Sequence, residues 1–280
     1  MKEKTILLDG ASGTLLWEFA EQAGLPKKPV WQYNTDHPEL VSKLAKSYIE
    51  AGSDIIFANT FSINSLSLEH ASGYDLEESV RSGVRIAKEA AAGTGTKVAL
   101  DMGPLSVFME PYGDLEEDEV ADIYREILDA GAKENPDLIV LETFMDLNML
   151  EVAAQTAKEY GIPVICSMSF DKNGRTMMGN SVSDIVDRLT PLSPAAIGLN
   201  CSLGPEEALP IIREFASATD LPLFFKPNTG PTLADGSSRV AAEEYVKDVS
   251  QALDIVTYIG GCCGTSPEYI RLLADVIKNS

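Results

Sequence analysis

Three of the four cysteines in this chain have the spacing and neighbours of a metal site. Cys262 and Cys263 are adjacent within the glycine-rich segment Gly260–Thr265, and Cys201 lies upstream in the segment Gly198–Pro205. Structural zinc sites use four protein ligands, whereas catalytic sites typically use three and leave the fourth position for water or substrate. Glycine beside the cysteine pair permits a backbone turn in which both thiols face one ion. The set therefore predicts a catalytic zinc site with one open position.

The chemistry predicted for such a site is the activation of a substrate thiol. A free thiol has a pKa of about 8.5 and is mostly protonated at neutral pH. A thiol that coordinates zinc is deprotonated, so the site would supply a nucleophilic thiolate at pH 7. The alternative is that these cysteines are small buried apolar residues. Cys166, which lies between Ile165 and Ser167 in an apolar run, is interpreted in that way.

Composition and charge exclude several classes of function. The 280 residues, 45% apolar and 23% charged, contain no linker-like stretch, so we expect one globular domain over residues 1–280. The net charge of −21 disfavours nucleic acid and anionic membrane surfaces as partners. No apolar run is long enough for a membrane span or a signal peptide, so we expect a soluble cytoplasmic protein. In a reducing compartment, clustered cysteines indicate metal binding or catalysis rather than disulfides.

Short apolar runs alternate with amphipathic stretches along the whole chain. The runs are continuous rather than alternating, which is typical of parallel strands that are buried on both faces. The predicted strands are Thr5–Leu8, Asp54–Ala58, Lys97–Met102, Leu138–Glu142, Pro163–Met168, Ala195–Asn200, Leu223–Lys226 and Ile255–Ile259. Helical patterns lie around 40–49 and 120–128 and at 77–92, 147–160, 183–190, 205–217, 241–253 and 266–278. Eight strands alternating with eight helices predict an α/β fold, the (β/α)₈ barrel.

An open doubly wound sheet is the alternative, because a sequence pattern does not show whether a sheet closes. No Gly-x-Gly-x-x-Gly follows the first strand, which disfavours a dinucleotide-binding fold. Cap residues support the predicted boundaries: Asp36, Ser183 and Ser266 lie near predicted helix starts, and Gly52, Gly131 and Gly161 near predicted helix ends.

The residues with chemical potential all fall where a predicted strand ends. They are Asp9-Gly10, Asn59-Thr60, Glu142, Cys201, Asn228 and the pair Cys262-Cys263. Barrel enzymes build their active sites at the carboxyl ends of the strands. Residues far apart in sequence are therefore expected to converge on one mouth of the barrel.

Several segments resemble, in order and spacing, the landmarks of the zinc-dependent homocysteine S-methyltransferases. They are LDGASGT at 8–14, ANTF at 58–61, LETF at 141–144, NCSLGPEE at 200–207, PNTG at 227–230 and GGCCGTSPE at 260–268. The resemblance extends from Leu8 to about Pro267. It is most similar to the homocysteine-binding module of cobalamin-dependent methionine synthase.

The resemblance implies a (β/α)₈ barrel with Zn²⁺ bound by Cys201, Cys262 and Cys263, and homocysteine as the methyl acceptor. It assigns the substrate amino group to Asp9 and Glu142, and Glu142 joins the cysteines in the expected catalytic set. A carboxylate partner for an ammonium group agrees with the chemistry of charge-assisted hydrogen bonds.

Three further assignments follow from the resemblance. Backbone N–H groups of Gly10 and Ala11 would meet the substrate carboxylate. Asn228 would be a provisional fourth zinc ligand, displaced by substrate sulfur, and Asn59 and Thr60 would lie at the substrate pocket.

Each polar residue also has a structural alternative. Asp9 could cap a helix near Leu15, and Glu142 could pair with a strand-end amide. Asn59 and Asn228 could organise turns.

The methyl donor is the open part of this interpretation. Ser12 replaces a larger apolar residue of the family pattern, and Thr229 replaces a frequent alanine. These two differences leave the identity of the methyl donor and the shape of the pocket undetermined. Because the chain ends at Ser280, we expect either an excised module or a free-standing enzyme. The expected methyl donor is a methyl-corrinoid protein or methylcobalamin. For such a bulky donor we expect few insertions over the barrel mouth.

Other functions remain open at this point. The donor could be a small compound such as S-methylmethionine, and the acceptor another thiol or a selenol. The chain could also be a non-catalytic subunit that binds zinc and homocysteine, or a barrel that only sequesters zinc.

Overall fold

A parallel eight-stranded sheet forms the centre of the molecule. The structure, a computed structural model, describes residues 5–69, 71–230 and 240–279. The strands are β1 (Ile6–Leu7), β2 (Ile55–Phe57), β3 (Lys97–Met102), β4 (Leu138–Phe144), β5 (Val164–Met168), β6 (Ala196–Asn200), β7 (Leu223–Lys226) and β8 (Tyr258–Ile259). Each strand from β2 to β7 pairs in parallel with the next strand in sequence, and β8 pairs in parallel with β1. The (β/α)₈ prediction is therefore confirmed, and the open sheet is wrong.

In the part of the chain that the structure describes, eight helices surround the strands, and three more lie in the connections. The helices are α1 (Gly13–Gln22), α2 (Tyr33–Asp36), α3 (Pro38–Ala51), α4 (Ser65–Leu68), α5 (Leu76–Ala91), α6 (Glu117–Ala132), α7 (Leu147–Lys158), α8 (Val182–Leu189), α9 (Pro205–Ala218), α10 (Ala242–Val249) and α11 (Pro267–Lys278). The sequence pattern predicted the eight outer helices but missed α1, α2 and α4. Among the helices in the described ranges, none combines the length and apolarity needed to cross a membrane.

Several predicted boundaries are wrong for identifiable reasons. Helix α8 is capped by Ser181 rather than Ser183, because Ser181 and Asp184 form a reciprocal capping box. Helix α3 is preceded by His37, while Asp36 ends α2. Gly131 lies inside α6, where a Cβ would approach Leu100 within 2.6 Å, so this glycine serves helix–strand packing.

The eighth strand is shorter than its apolar run. Ile255 and Val256 both donate backbone hydrogen bonds to Ala252. They therefore belong to the turn that follows the 3₁₀ helix Ser250–Ala252, which itself replaces the predicted end of helix 241–253. The Gly52 cap is confirmed, since this residue ends α3 in the left-handed conformation with φ of 105°.

The inside of the barrel is filled by alternate residues of the strands. Ala99, Val140 and Phe224 belong to a buried cluster inside the barrel, separate from the larger core. The next residues on the same face are Asp101, Glu142 and Lys226, two positions farther along β3, β4 and β7. Alternation along each strand thus places a charged layer on top of an apolar one.

Strands β1 and β2 meet at a seam that side chains help to close. The backbone N–H of Asp54 donates to the carbonyl of Leu7 at 2.7 Å. Farther along, the backbone N–H of Phe57 donates to Oδ2 of Asp9, also at 2.7 Å. The Asp9 carboxylate therefore takes the place of a backbone acceptor between the two strands.

Candidate active site

A cavity of about 280 Å³ opens at the carboxyl ends of the strands. Its lining combines the three cysteines, the turn 9–14, a group of charged side chains and several aromatic rings. The charged residues are Asp9, Asp101, Glu142 and Lys226, and the aromatic ones are Trp17, Trp31, Phe57 and Phe61. This is the mouth on which the sequence analysis expected the polar residues to converge.

The three cysteines meet at one edge of this cavity. The sulfur atoms of Cys201, Cys262 and Cys263 all lie within 4.8 Å of one another. Those of Cys201 and Cys263 are 3.8 Å apart. The predicted convergence of these thiols is confirmed. Cys166 is buried away from them, as predicted.

The turn after β6 gives Cys201 its position. Cys201 and Ser202 have φ values of 61° and 58°, a left-handed conformation that is uncommon for residues other than glycine. The Cys201 N–H donates to the carbonyl of Lys226 at 3.1 Å, which anchors the turn to β7. Strained backbone of this kind is often found at functional sites.

The turn after β8 is held from both sides. Cys262 donates its N–H to Pro227, and the Thr229 N–H donates to the Cys263 carbonyl at 3.1 Å. The Thr265 hydroxyl donates to the Cys262 carbonyl at 2.8 Å. A Cβ on Gly261 would lie 2.5 Å from Thr265, so this glycine is required for the turn.

The clustering of the thiols raises their pKa values. The pKa of Cys262 is well above that of a free thiol, through its hydrogen bond with Cys201 and through burial. Cys262 lowers the pKa of Cys201, but Cys263 and burial outweigh this effect and raise it to about 11. The hydrogen bond with Cys201 lowers the pKa of Cys263, but Cys262 and burial raise it to about 12. Without a cation, all three thiols are therefore protonated at pH 7.

The donor set fits zinc. Three thiols are ligands that zinc favours, and Asn228 offers a candidate oxygen ligand. Oδ1 of Asn228 is buried and accepts no hydrogen bond from any residue that the structure describes. The residues on both sides of Asn228 are those bonded to the Cys262–Cys263 turn. An orphaned buried oxygen of this kind is the sort of group that a metal can satisfy.

Asn200 links the cysteines to strand β4. Its Oδ1 accepts hydrogen bonds from the Thr143 N–H at 2.8 Å and from the Ser167 hydroxyl at 2.7 Å. Its Nδ2 donates to Oγ1 of Thr143 at 2.7 Å and to the sulfur of Cys262 at 3.8 Å. Asn200 lies in the NCSLGPEE segment and had no predicted role, yet its side chain donates to the sulfur of a candidate metal ligand.

Strand β4 is irregular next to Glu142, which lines the cavity. Thr143 has a φ of 66°, and the register between β4 and β5 shifts between Leu141 and Phe144. Two hydrogen bonds, from the Thr143 N–H to Oδ1 of Asn200 and from Nδ2 of Asn200 to Oγ1 of Thr143, hold Thr143 in this conformation. The irregularity in β4 therefore has a defined support next to Glu142.

Lys226 is the charged residue that sequence reasoning missed at the centre of the site. It is 2% exposed, and its Nζ lies 2.9 Å from Oδ1 of Asp9 and 3.8 Å from Oε2 of Glu142. The same Nζ lies 3.7 Å from the centroid of the Phe57 ring. Burial lowers the pKa of Lys226, but the charges of Asp9 and Glu142 outweigh it and raise the pKa, so the ammonium form persists.

Asp101 was also missed. Burial raises its pKa well above the ordinary range, and the nearby charge of Glu142 adds to this. Burial likewise raises the pKa of Glu142, which Lys226 opposes. Both Asp101 and Lys226 could have been found from the sequence, because each is a charged residue at an inward-facing position of an otherwise apolar strand.

Asn59 and Thr60, which were predicted to lie at the substrate pocket, differ in their position relative to the cavity. Asn59 lines the cavity and donates to the carbonyl of Val30 and to Oδ1 of Asn34. Thr60 is fully buried, and its hydroxyl donates to the carbonyl of Asp101 at 2.7 Å. The side chain of Asn59 therefore joins the end of β2 to residues 25 and 29 positions upstream, and Thr60 supports the cavity residue Asp101.

The turn 9–12 departs from the expectations in two respects. Helix α1 begins after Ser12 without a side-chain cap, so the alternative that Asp9 caps this helix is wrong. Gly10 and Ala11 line the cavity, but the Ala11 N–H already donates to the Thr265 hydroxyl at 3.1 Å. A Cβ on Gly10 would lie 2.7 Å from that hydroxyl, so the turn packs directly on Thr265.

The fold and the three-thiol mouth define a (β/α)₈ barrel with a candidate metal centre. The family model for homocysteine S-methyltransferases matches residues 6–277. The chain therefore belongs to the homocysteine S-methyltransferase family.

Known proteins resemble the chain in sequence and in fold. It is 29% identical over 276 residues to methionine synthase of Mycobacterium tuberculosis (strain ATCC 25618 / H37Rv), covering 88% of this chain and 22% of that protein. Methionine synthase of Mycobacterium leprae (strain TN) is also 29% identical, over 268 residues that cover 87% and 22%. The chain thus spans 22% of the length of these relatives.

Solved structures match over the whole barrel. The oxidised form of the homocysteine methyltransferase MmuM from Escherichia coli superposes with a TM-score of 0.82 at 23% identity, covering 100% of this chain and 97% of that one. The metallated form of the same protein gives 0.80 at 22% identity, covering 98% and 97%. At this level of identity the match establishes the fold.

Proposed function

We propose that this chain binds Zn²⁺ through Cys201, Cys262 and Cys263 and transfers a methyl group to the thiol of L-homocysteine, giving L-methionine. The observation that carries the proposal is the juxtaposition of three thiols with a group of carboxylates in one cavity. The thiols suit a metal that receives a substrate sulfur. The carboxylates suit the ammonium of an amino acid. Family membership supports the same reaction.

Zinc bound by three thiolates would let the substrate thiol lose its proton at neutral pH, because a coordinated thiol is deprotonated. The chain's own residues hold the cluster in place and orient the amino acid. The sulfur of homocysteine then forms a bond to the methyl carbon as the bond between that carbon and its donor breaks. Alignment of the two reactants, rather than a general base, is the remaining task of the protein.

The two ends of the substrate backbone would be held by different parts of the mouth. The acidic residues Asp9, Asp101 and Glu142 line this cavity and would be the partners of the ammonium. The substrate carboxylate would face the turn 10–13, whose N–H groups precede and begin α1. Because the Ala11 N–H is bonded to Thr265, the amides of Gly10 and of the first turn of α1 are the better candidates.

Substitution of the cysteines tests the proposal directly. Cys262→Ala and Cys263→Ala are expected to lose bound zinc and methionine formation together, since each removes one of three ligands. Cys166→Ala is the matched control, because this cysteine is buried outside the cluster. Zinc content by atomic absorption and methionine by mass spectrometry are measured on the same samples. Full zinc stoichiometry and full activity in Cys262→Ala would contradict the proposal.

For the methyl donor we propose methylcobalamin, free or on a corrinoid protein. The segments NCSLGPEE at 200–207 and GGCCGTSPE at 260–268, which resemble the homocysteine-binding module of cobalamin-dependent methionine synthase, support this choice over small donors. A bulky donor needs an open mouth, and the described residues form no separate lid domain over it. One side of the cavity is nevertheless covered by Trp17 of α1 and by Val30 and Trp31 of the 3₁₀ helix Val30–Gln32.

A donor panel separates the remaining candidates. The zinc-loaded chain is mixed with homocysteine and either methylcobalamin or S-methylmethionine, and methionine is quantified. Turnover with methylcobalamin supports the proposed donor, and turnover with S-methylmethionine alone supports a methyltransferase that uses small donors. Binding of homocysteine without turnover in either mixture supports a subunit that requires a partner.

A further inference from the structure

Lys226 carries a positive charge in the middle of an otherwise acidic cavity. Of the described residues that line this cavity, it is the only one with a basic side chain. It is buried, and its Nζ lies 3.7 Å from the centroid of the Phe57 ring. A buried charge is unfavourable unless partners compensate it. The groups that face Lys226 therefore indicate what its charge acts on.

Negative groups from four strand ends face the Lys226 ammonium. Its Nζ lies 2.9 Å from Oδ1 of Asp9 and 3.8 Å from Oε2 of Glu142. Asp101 faces the same ammonium, which opposes the rise in its pKa caused by burial and by Glu142. Burial lowers the pKa of Lys226, but the negative charges around it outweigh this effect and raise it. Cys262 is among these charges, so the ammonium acts on the thiol cluster as well as on the acids.

The backbone that carries Lys226 is bonded to all three cysteines of the cluster. The Cys201 N–H donates to the Lys226 carbonyl at 3.1 Å, and the carbonyl of the next residue accepts from the Cys262 N–H at 3.0 Å. The N–H of Thr229 donates to the carbonyl of Cys263 at 3.1 Å. The end of β7 and the turn after it therefore fix the position of this lysine relative to every candidate metal ligand.

The charge of the proposed centre changes during the reaction. Zn²⁺ with three thiolates has a net charge of −1, and a homocysteine thiolate, whose proton leaves to solvent on binding, makes it −2. When the sulfur forms its bond to the methyl carbon, it becomes a neutral thioether and the centre returns to −1. A nearby positive charge therefore stabilises the bound acceptor more than the bound product, and burial strengthens this effect.

We propose that Lys226 is the countercharge of the metal–thiolate centre and makes the site favour homocysteine, which binds as a thiolate, over methionine, whose sulfur is neutral. This inference rests on the proposed function, because it takes zinc as the metal and homocysteine as the acceptor. Lys226 acts through its charge on the sulfur ligands, so it is a positioning residue rather than a catalytic one. The same charge promotes turnover, because its attraction for the substrate sulfur disappears once the methyl group is transferred.

A comparison of acceptor and product tests this role. Binding of L-homocysteine and of L-methionine to the zinc-loaded full chain is measured by titration calorimetry at pH 8. The two ligands share their ammonium and carboxylate, so the ratio of their dissociation constants reports on the sulfur. Lys226→Gln is expected to lower the preference for homocysteine about 10- to 100-fold, since one opposite charge is removed from a buried site. Lys226→Arg keeps the charge and is expected to retain most of this preference.

A variant with the opposite sign and a control accompany these two. Glu142→Gln removes a negative charge that faces the same centre, so it should raise the preference for homocysteine. Both ligands lose the same ammonium contact in this variant, and the ratio is unaffected by that loss. Lys247→Gln removes the charge of an exposed lysine on α10 and should keep the wild-type ratio. Unfolding temperature and zinc content are recorded for every variant.

The outcomes separate this inference from the proposed function. A selective loss of homocysteine binding in Lys226→Gln that Lys226→Arg does not show supports the role of the charge. A folded, zinc-loaded Lys226→Gln with the wild-type ratio overturns it while the proposed function stands. If Lys226→Gln does not fold, Glu142→Gln decides, because a ratio at or below the wild-type value overturns the inference. A wild-type chain that takes up zinc but binds no homocysteine overturns the proposed function, and this inference with it.

Discussion

The side-chain amide of Asn200 donates a hydrogen bond to the sulfur of Cys262, with 3.8 Å between nitrogen and sulfur. The other hydrogen bonds of the Asn200 side chain, with Thr143 and Ser167, fix the orientation of this amide. A fixed N–H group directed at a thiolate stabilises its negative charge. Groups of this kind orient metal ligands and tune their affinity.

Asn200→Asp is expected to lower the zinc affinity about 10- to 100-fold, because the N–H donor is replaced by a carboxylate beside three thiolates. Competition with a chromogenic chelator measures this affinity. Ser167→Ala is the matched control, since it removes a hydrogen bond on the far side of Asn200 and keeps the donor to Cys262. Equal losses of zinc affinity in both variants would show that Asn200 acts only through general stability.

The predicted effect of replacing Asn228 on zinc release depends on whether homocysteine is bound. If its buried Oδ1 occupies the fourth zinc position at rest, Asn228→Ala should release zinc faster in the absence of homocysteine. With homocysteine present the variant and wild type should retain zinc equally, because the substrate sulfur then takes this position. Zinc release to a chelator is followed with and without the substrate.

Thr229→Ala provides the control for Asn228, because it keeps the backbone N–H bond to the Cys263 carbonyl at 3.1 Å and loses only the long hydroxyl contact to that carbonyl at 3.5 Å. This variant is expected to match wild type in both conditions. A substrate-independent defect in Asn228→Ala would assign Asn228 to the turn, the alternative raised by its sequence context.

The raised thiol pKa values predict that zinc uptake releases protons. With the pKa of Cys201 near 11 and that of Cys263 near 12, the metal-free thiols are protonated at pH 7. Binding of zinc should therefore release about three protons, and the apparent affinity should rise about 1,000-fold per pH unit near neutrality. Calorimetry in buffers of different ionisation enthalpy counts these protons. Cys166→Ala should release the same number as wild type, because this cysteine is buried outside the cluster, and a count near zero in wild type would contradict ligation by the thiols.

The barrel and its three thiols could be predicted because their signals are local. Apolar runs such as Leu138–Val140 alternate with helical patterns, and Cys201 and Cys262 directly follow two of these runs. Parallel strands then bring their carboxyl ends to one face. Spacing along the chain is sufficient for this inference, and it does not require knowledge of side-chain contacts.

The ion pair between Lys226 and Asp9 could not be predicted in the same way. Its partners are 217 positions apart in sequence, and their contact depends on barrel closure. Helix α1 was missed because the segment 13–22 lies in a connection that the simple strand–helix alternation does not require. The role of Asp9 in the seam depends on the short pairing of β1, which becomes visible only in the folded structure.

Asp101 predicts an unusual dependence of stability on pH. Its pKa in the folded protein is raised above the ordinary value of 3.8 by burial and by the charge of Glu142. The folded state therefore holds this proton more tightly than the unfolded chain. The stability from the protonated group is present below about pH 4 and is lost as the pH rises through the folded-state pKa.

Asp101→Asn should remove this loss, because an amide does not ionise. At pH 8 the variant is expected to be about 1–3 kcal/mol more stable than wild type, with a smaller difference at pH 4. Urea unfolding at the two pH values, on metal-free samples of both proteins, measures the difference. Asp122→Asn controls for the loss of an exposed charge, since the side chain of Asp122 is 77% exposed. If Asp101→Asn gains no stability relative to wild type between pH 4 and pH 8, ionisation of Asp101 has no free-energy cost in the folded protein. That result would contradict the raised pKa of Asp101.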